Sequence, residues 1–323
     1  MSTARNTNQT HNTISNAVEF IGVDISKDDL VADLAQAQRV YPRSPKGIEE
    51  LITRLPANAH IICEATGGYE KTLVGALHKA RVKVSVVMPW RVRAYAISQN
   101  ILAKSDSIDA RVLSQYGRNT ERLRETKPAR PEVEKLRELM RARDELIELL
   151  KNEANQAEHA GALELLAAQA ARRKETYLEQ KKQLEKAIRE HVRQDPQMSR
   201  RSDKCLQVKG VGEVTVWTAL CELPELGEMS KGQPGHLLGV APLSNQSGRH
   251  EAARHIKAGR PKPRRVFYMA ALSASRHNPI LKNIYQRLIA KGKPPKVALV
   301  AVMRKLVELL NQIFANPNFS LAG

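Results

Sequence analysis

The sequence predicts an α/β domain at its N-terminal end, a long helical segment in the middle and a mainly α-helical C-terminal region. Three observations carry that reading. Between residue 17 and about 125, short apolar runs alternate with amphipathic stretches, the pattern of strands and helices built around a sheet. From 131 to about 194, Leu136, Leu139, Arg143, Leu146, Leu150 and Ala157 follow an alternating three–four step in charged surroundings, as in a coiled coil or long helix. Beyond 200, helical patterns flank a Gly/Pro-rich loop region. The expected divisions are a disordered polar tail (1–16), an α/β domain (17–127), a helical coiled-coil linker (128–198) and a C-terminal domain (199–323).

The elements follow in order. VEFIGVDIS reads as a strand, DDLVADLAQ as a second, and AHIICEAT as a third whose nearly continuous apolar run suits a strand buried on both faces. KTLVGALHKA is helical, VKVSVVMP is a strand ended by Pro89, and a helix carrying Ile97 comes next. SIDARVLSQYGR is helical, with Ser105 as its N-cap. In the middle segment Gly161 marks a break before a second helix through Leu178, Leu184 and Ile188, and a helical hairpin and a dimer seam both fit. LQVKGVGEVTVWTALCEL reads as helix, Gly-containing turn, helix. GHLLGVAPLSNQSGRHEAARHIKAGRPKPRR is a basic loop region, and VFYMAALSASRHN and PPKVALVAVMRKLVELLNQIF are apolar-striped helices.

Bulk composition narrows the function. Lys and Arg total 52 against 34 Asp and Glu in 323 residues, a net charge of +18. Such a surplus favours a polyanionic partner, nucleic acid above all, through counterion release. No apolar run is long enough to span a membrane, and the tail MSTARNTNQTHNTISN lacks the apolar core of a secretory signal. Cys63, Cys205 and Cys221 are too scattered for a disulfide framework or a zinc knuckle, and the nine histidines form no HxH or HExxH pair. A cytoplasmic location fits.

Against this basic background four acidic residues stand out: Asp24 at the end of the first strand, Glu64 at the end of the third, and Asp106 and Asp109 on one helix face. If the two strands are neighbours and the helix packs over their ends, all four carboxylates converge. Hard oxygen donors of this kind hold Mg²⁺ or Mn²⁺, and paired ions stabilise the attacking and leaving oxygens of a phosphodiester. Each residue alone has an ordinary reading, since Asp after a strand caps turns and Asp in a first helical turn suits the dipole. Glu64 is harder to dismiss, because an unpaired carboxylate in a buried strand is costly.

Basic residues supply candidate nucleic-acid contacts. Arg249, Arg254, Lys257, Arg260, Lys262, Arg264 and Arg265 open a stretch, running to Lys305, that Glu251 alone opposes. Such tracts bind phosphate without reading sequence. Lys209, Gly210 and Gly212 in VKGVGE suit a phosphate-binding hairpin, or an ordinary packing turn. Trp90 with Arg91 and Arg93 suits base stacking or backbone contact, although a buried anchoring Trp is the commoner role.

The strings GVDIS, CEATGGYE and KSDSIDA, in that order and spacing, resemble the DEDD-type transposases of the insertion-sequence one-ten group and the related Piv-type DNA invertases. The resemblance continues through VKGVGEVTVWTAL, LLGVAPLSNQSG, FYMAAL and VMRKL. It implies a RuvC-like, RNase H-type fold for the first domain, with Asp24, Glu64, Asp106 and Asp109 catalytic and Mg²⁺- or Mn²⁺-binding. Separately, VKGVGE resembles the hairpin of a helix-hairpin-helix motif, which places a helix-hairpin-helix-like element in the C-terminal domain. In APLSNQSG the family resemblance implies that Ser247 attacks a DNA phosphate and forms a covalent intermediate, at a site completed by the carboxylates of a neighbouring protomer. Residues alone read Ser247 as a turn, leave Ser244 as a competitor, and offer His250 as a proton carrier. The implied partners are target and donor double-stranded DNA, a structured non-coding guide RNA, and further copies of the chain as a homodimer assembling to a tetramer, acting at the bacterial nucleoid. The rivals are a hydrolytic RuvC-like junction endonuclease, a non-catalytic nucleic-acid-binding protein, and inversion rather than transposition.

Overall fold

The computed structural model describes residues 17–319 except 36, 122, 160–163, 244–245, 248–249, 252–254, 257–258 and 317; at 157–159, 243, 246–247, 250–251 and 255 it describes the backbone alone. The chain divides into two compact units, residues 1–128 and 129–323.

The first unit is a five-stranded sheet with helices on both faces. Its strands are β1 (Glu19–Ile25), β2 (Asp29–Asp33), β3 (Gln38–Pro42), β4 (Ala59–Glu64) and β5 (Lys83–Val87), in the order β3-β2-β1-β4-β5. β1, β2 and β3 form an antiparallel meander, while β4 pairs parallel to both β1 and β5. This mixed topology is consistent with the RNase H-type expectation. The helices are α1 (Pro45–Thr53), α2 (Glu70–Lys79), α3 (Pro89–Ser98) and α4 (Asp106–Asn119).

Strand alternation sorts the core. Ile21, Val23 and Ile25 of β1 and Ile61 and Cys63 of β4 pack with Ile48 and Leu51 of α1 and Leu73 and Leu77 of α2. Ile62 and Val87 point the other way, onto Val92 of α3 and Val112, Leu113 and Tyr116 of α4. Both faces of the central strands are covered, as the apolar run AHIICEAT requires. Each fully buried aliphatic side chain contributes ~1.5–3 kcal/mol relative to exposure.

In the second unit α5 (Pro131–His159) and α6 (Glu164–Gln194), 29 and 31 residues long, form an antiparallel hairpin about 45 Å in length. The rungs are Glu132 with His191, Arg143 with Glu185, and Glu153 with Arg173. Val133, Leu136, Met140, Ile188 and Val192 bury the hairpin's base in the main core of the unit. Arg143, on the apolar step of α5, is buried and bonds Glu185 at 2.9 Å. The helices thus form the intrachain hairpin that the sequence allows.

The rest of the unit packs α7 (Pro196–Leu206), α8 (Glu213–Glu222), α9 (Gln233–Leu238), α10 (Pro261–His277), α11 (Pro279–Ala290) and α12 (Pro295–Ala315) around Trp217, Phe267, Val302, Leu306 and Leu310. Asp195 N-caps α7 by accepting from the Met198 N–H at 2.7 Å, and Arg130 bonds the same carboxylate. Between α9 and α10 lie two pairs of two-residue strands, β6 (Pro242–Leu243) with β9 (His255–Ile256) and β7 (Gln246–Ser247) with β8 (His250–Glu251). No helix among the described residues is long and apolar enough to cross a membrane.

Candidate active site

The site is built by one sheet edge and one helix end. The β1–β4 register runs to Val23 opposite Cys63, so Asp24 and Glu64 each stand one residue past the last pair on neighbouring parallel strands. Their side chains leave the same face, on strands about 4.8 Å apart. It is the face of Gly22 and Ile62, two residues earlier on each strand.

Gly22 is what lets α4 reach that face. A Cβ there would lie 1.9 Å from the Ala110 carbonyl oxygen and 2.6 Å from the Leu113 Cβ, so only glycine fits. The contact is fastened by a buried hydrogen bond from the Gly22 N–H to the Ser114 hydroxyl, at 2.7 Å. Farther along α4, Gly117 lies against Phe20 and Ile62. The helix therefore runs antiparallel to β1, and Asp106 and Asp109, one turn before Ala110 and Leu113, come over the strand ends. Ser105 caps the helix at that point, accepting from the Ile108 N–H, and the Gln38 amide bonds the Ser107 carbonyl at 2.6 Å.

The electrostatics report the same convergence. Burial raises the Asp24 carboxyl above its ordinary range, and the charges of Asp109 and Asp106 raise it further. Glu64 is raised by burial, then by Asp24 and Asp109. Asp109 is raised by burial and by Asp106, against Lys104 and Arg93, which pull it down. Lys104 acts on all three. Among the described residues, no group of three or more His, Cys, Asp or Glu side chains is placed to hold a metal ion. The carboxylates thus share one edge and one field, not a closed ligand shell. Hard oxygen donors short of positive charge fit a divalent cation by chemistry.

The basic candidates divide sharply. Arg260 makes a two-pronged bond to Glu225, at 2.7 and 2.6 Å, and donates to the Glu222 carbonyl. Lys262 bonds Glu222 at 2.9 Å and Asp144 at 3.0 Å. Both expected nucleic-acid contacts are therefore spent on acids brought from α5 and α8 and the residues after it. Arg264 donates to the Gly239 carbonyl, whereas Arg265 and Lys209 are exposed. Gly210 has the packing role of an ordinary turn. With φ +97° and a would-be Cβ 2.5 Å from the Ala274 backbone, it lets the turn press on α10. Gly212 N-caps α8, whose first turn holds Glu213, itself bonded twice by Arg189. Arg249, Arg254, Lys257 and Ser244 lie outside the described residues. Ser247 is described by its backbone alone, paired opposite His250.

Trp90 corrects the anchor reading, for it is 53% exposed, beneath the Arg91 guanidinium at 5.6 Å. Arg93 and Arg91 are exposed beside it. Sequence reasoning missed Lys104, Gly22, Ser114 and Gln38. Only Gly22 left a signal, a glycine inside an otherwise apolar strand.

Four carboxylates at the edge of an α/β sheet, in a strongly basic chain, suit an enzyme acting on phosphodiesters. Two family models match the chain and together span most of it. One, described as "Transposase", covers residues 21–166, and the other, "Transposase IS116/IS110/IS902 family", covers 203–286. The chain belongs to this transposase family and is an enzyme that acts on DNA. It is also 26% identical over 307 residues to proteins named "Pilin gene-inverting protein" from Moraxella bovis and Moraxella lacunata, an alignment covering 90% of this chain and 94% of each relative.

Proposed function

We propose that this protein is a divalent-cation-dependent DNA recombinase that moves strands through a covalent Ser247–DNA linkage. The observation that carries the reading is the meeting of Asp24, Glu64, Asp106 and Asp109 on one sheet edge, in a chain of net charge +18. A non-catalytic DNA-binding protein gains nothing from gathering negative charge near phosphate. Asp24, Glu64, Asp106 and Asp109 would hold Mg²⁺ or Mn²⁺, which when bound neutralises charge on the scissile phosphate.

In the first exchange the Ser247 hydroxyl oxygen bonds to phosphorus while the bond from phosphorus to one sugar oxygen breaks. The serine proton ends on that departing oxygen. Attack by a sugar hydroxyl of another strand reverses the step, rejoins DNA and returns the proton to serine. One phosphate ester replaces another, so no external energy source is needed. The serine, the assembly of dimers into a tetramer and the structured guide RNA rest on the family resemblance. The basic surplus suits an RNA as well as DNA. A junction endonuclease using water would leave APLSNQSG without a role.

A second reading, site-specific inversion, is favoured by the two relatives, whose names describe inversion of a pilin gene. Transposition and inversion share this chemistry and differ in the placement of the DNA sites.

The test is a denaturant-resistant protein–DNA adduct, formed with Mg²⁺, the element's non-coding RNA and target DNA. Ser247→Ala should abolish the adduct while DNA binding persists. An adduct that survives Ser247→Ala would overturn the serine assignment, and adduct formation without the RNA would overturn RNA guidance.

A further inference from the structure

The carboxylate edge has an aromatic neighbour that the chemistry above does not use. Trp90 opens α3 directly after β5, at the same C-terminal edge of the sheet as Asp24 and Glu64. A tryptophan left 53% exposed at that position contributes little to the core, whose α3 contacts come from Val92 and Ala96. Its surroundings are cationic. Arg91 lies over its ring, and Arg93, one turn on and thus its helical neighbour, is close enough to Asp109 to lower that carboxyl. Arg93 is held in place by donating to the Leu102 carbonyl at 3.1 Å. An exposed ring, two guanidiniums and an adjacent acidic edge form a graded surface: apolar and positive outside, negative within.

We infer that Trp90 is a stacking platform for an unpaired base of the DNA strand whose phosphate faces the carboxylates, with Arg91 and Arg93 holding the flanking phosphates. This rests on the reading of Asp24 and Glu64 as the catalytic edge. Every base offers a π-face, so the contact is tolerant of sequence. It fixes the strand's register at the site and requires a base to leave the helix. The platform therefore favours DNA that is already melted or distorted beside the scissile phosphate. Trp90 is a positioning residue, since it touches a base and not the reacting phosphorus.

The chain has two tryptophans, and Trp217 is only 2% exposed, so its fluorescence separates the proposal from general binding. Full-length protein titrated with a single-stranded thymidine oligonucleotide should lose Trp90 emission. Trp217→Phe should retain that quenching and Trp90→Phe should lose it. Trp90→Ala should weaken oligonucleotide affinity roughly 5- to 150-fold, with Trp90→Tyr recovering much of the loss. The salt slope of binding should stay unchanged in Trp90→Ala but fall by about 0.7 in Arg91→Ala. Quenching that persists in Trp90→Phe, or equal affinity in Trp90→Ala and the parent, would overturn the platform. Stronger quenching by the matching RNA oligonucleotide than by DNA would overturn the assignment to DNA. An Asp24→Asn background should leave the quenching intact. If that variant also cut DNA normally, the catalytic reading would fail while the platform stood.

Discussion

The two units handle charge in opposite ways. At the edge of the N-terminal sheet, Asp24, Glu64, Asp106 and Asp109 are brought together as like charges, and burial plus mutual repulsion raise three of them. In the C-terminal unit, charges are brought together as opposites. Asp195 is 7% exposed, yet the Met198 N–H and Arg130 overcome that burial and hold its carboxyl below the ordinary range. Glu185 is held low against burial by Arg143 and Lys181, and Glu225 takes both prongs of Arg260. One arrangement costs folding energy and leaves the edge short of positive charge. The other contributes to stability and occupies the charges it pairs. A cluster that destabilises its own fold is where a function is to be sought.

The largest effect expected from this contrast is catalytic. Asp24→Ala or Glu64→Ala should lower the rate of DNA strand cleavage by roughly 10²–10³-fold or more, with DNA affinity retained in a filter-binding or anisotropy assay. Normal cleavage in either variant would dissolve the contrast.

Next comes stability in the paired region. Arg260→Ala removes both prongs from the largely buried Glu225 and should cost about 1–3 kcal/mol in urea unfolding, discounted for the partial exposure of the arginine. Its DNA-binding salt slope should match the parent's. A lowered slope with unchanged stability would return Arg260 to the nucleic-acid surface.

The smallest effects concern pH. A raised carboxyl binds its proton more tightly in the folded chain, so the Asp24 contribution to stability is lost as pH rises from the ordinary carboxylate range through its raised value. Asp195 has the opposite sign: its contribution is present above the ordinary range and is lost as pH falls through its depressed value. At pH 7 without divalent ions, Asp24→Asn should raise Tm by roughly 2–4 °C, and Asp195→Ala should lower stability by ~0.5–2 kcal/mol. Scanning calorimetry that finds both variants shifted in the same direction would show that the two acids do not differ.

Much of this was legible in the residues. β1, β2, β4, β5, α2 and α4 follow from local pattern, as does the Ser105 cap, and the three–four step announced the long helices. The four acids could be named because two end apolar strands and two share a helix face. Other elements were silent. β3 (QRVYP) is short and largely exposed, α1 (PKGIEELIT) has few apolar positions, and α11 was absorbed into its neighbours' apolar pattern. The pairing of Arg260 and Lys262 was hidden for a physical reason. Along the chain Arg260 and Lys262 are opposed by Glu251 alone, but folding brings Glu222, Glu225 and Asp144 to them from 35 or more positions away in sequence. For Trp90 the sequence leaves stacking and anchoring both open, with anchoring the commoner role, because no local signal gives its exposure.

The central claim is that the acidic edge exists to hold a divalent cation. It is tested most directly by titrating Mn²⁺ into the parent chain and the folded Asp24→Asn variant and following free ion by electron paramagnetic resonance. The parent should remove Mn²⁺ from solution and Asp24→Asn should lose most of that binding. Equal uptake by the two proteins would contradict the claim.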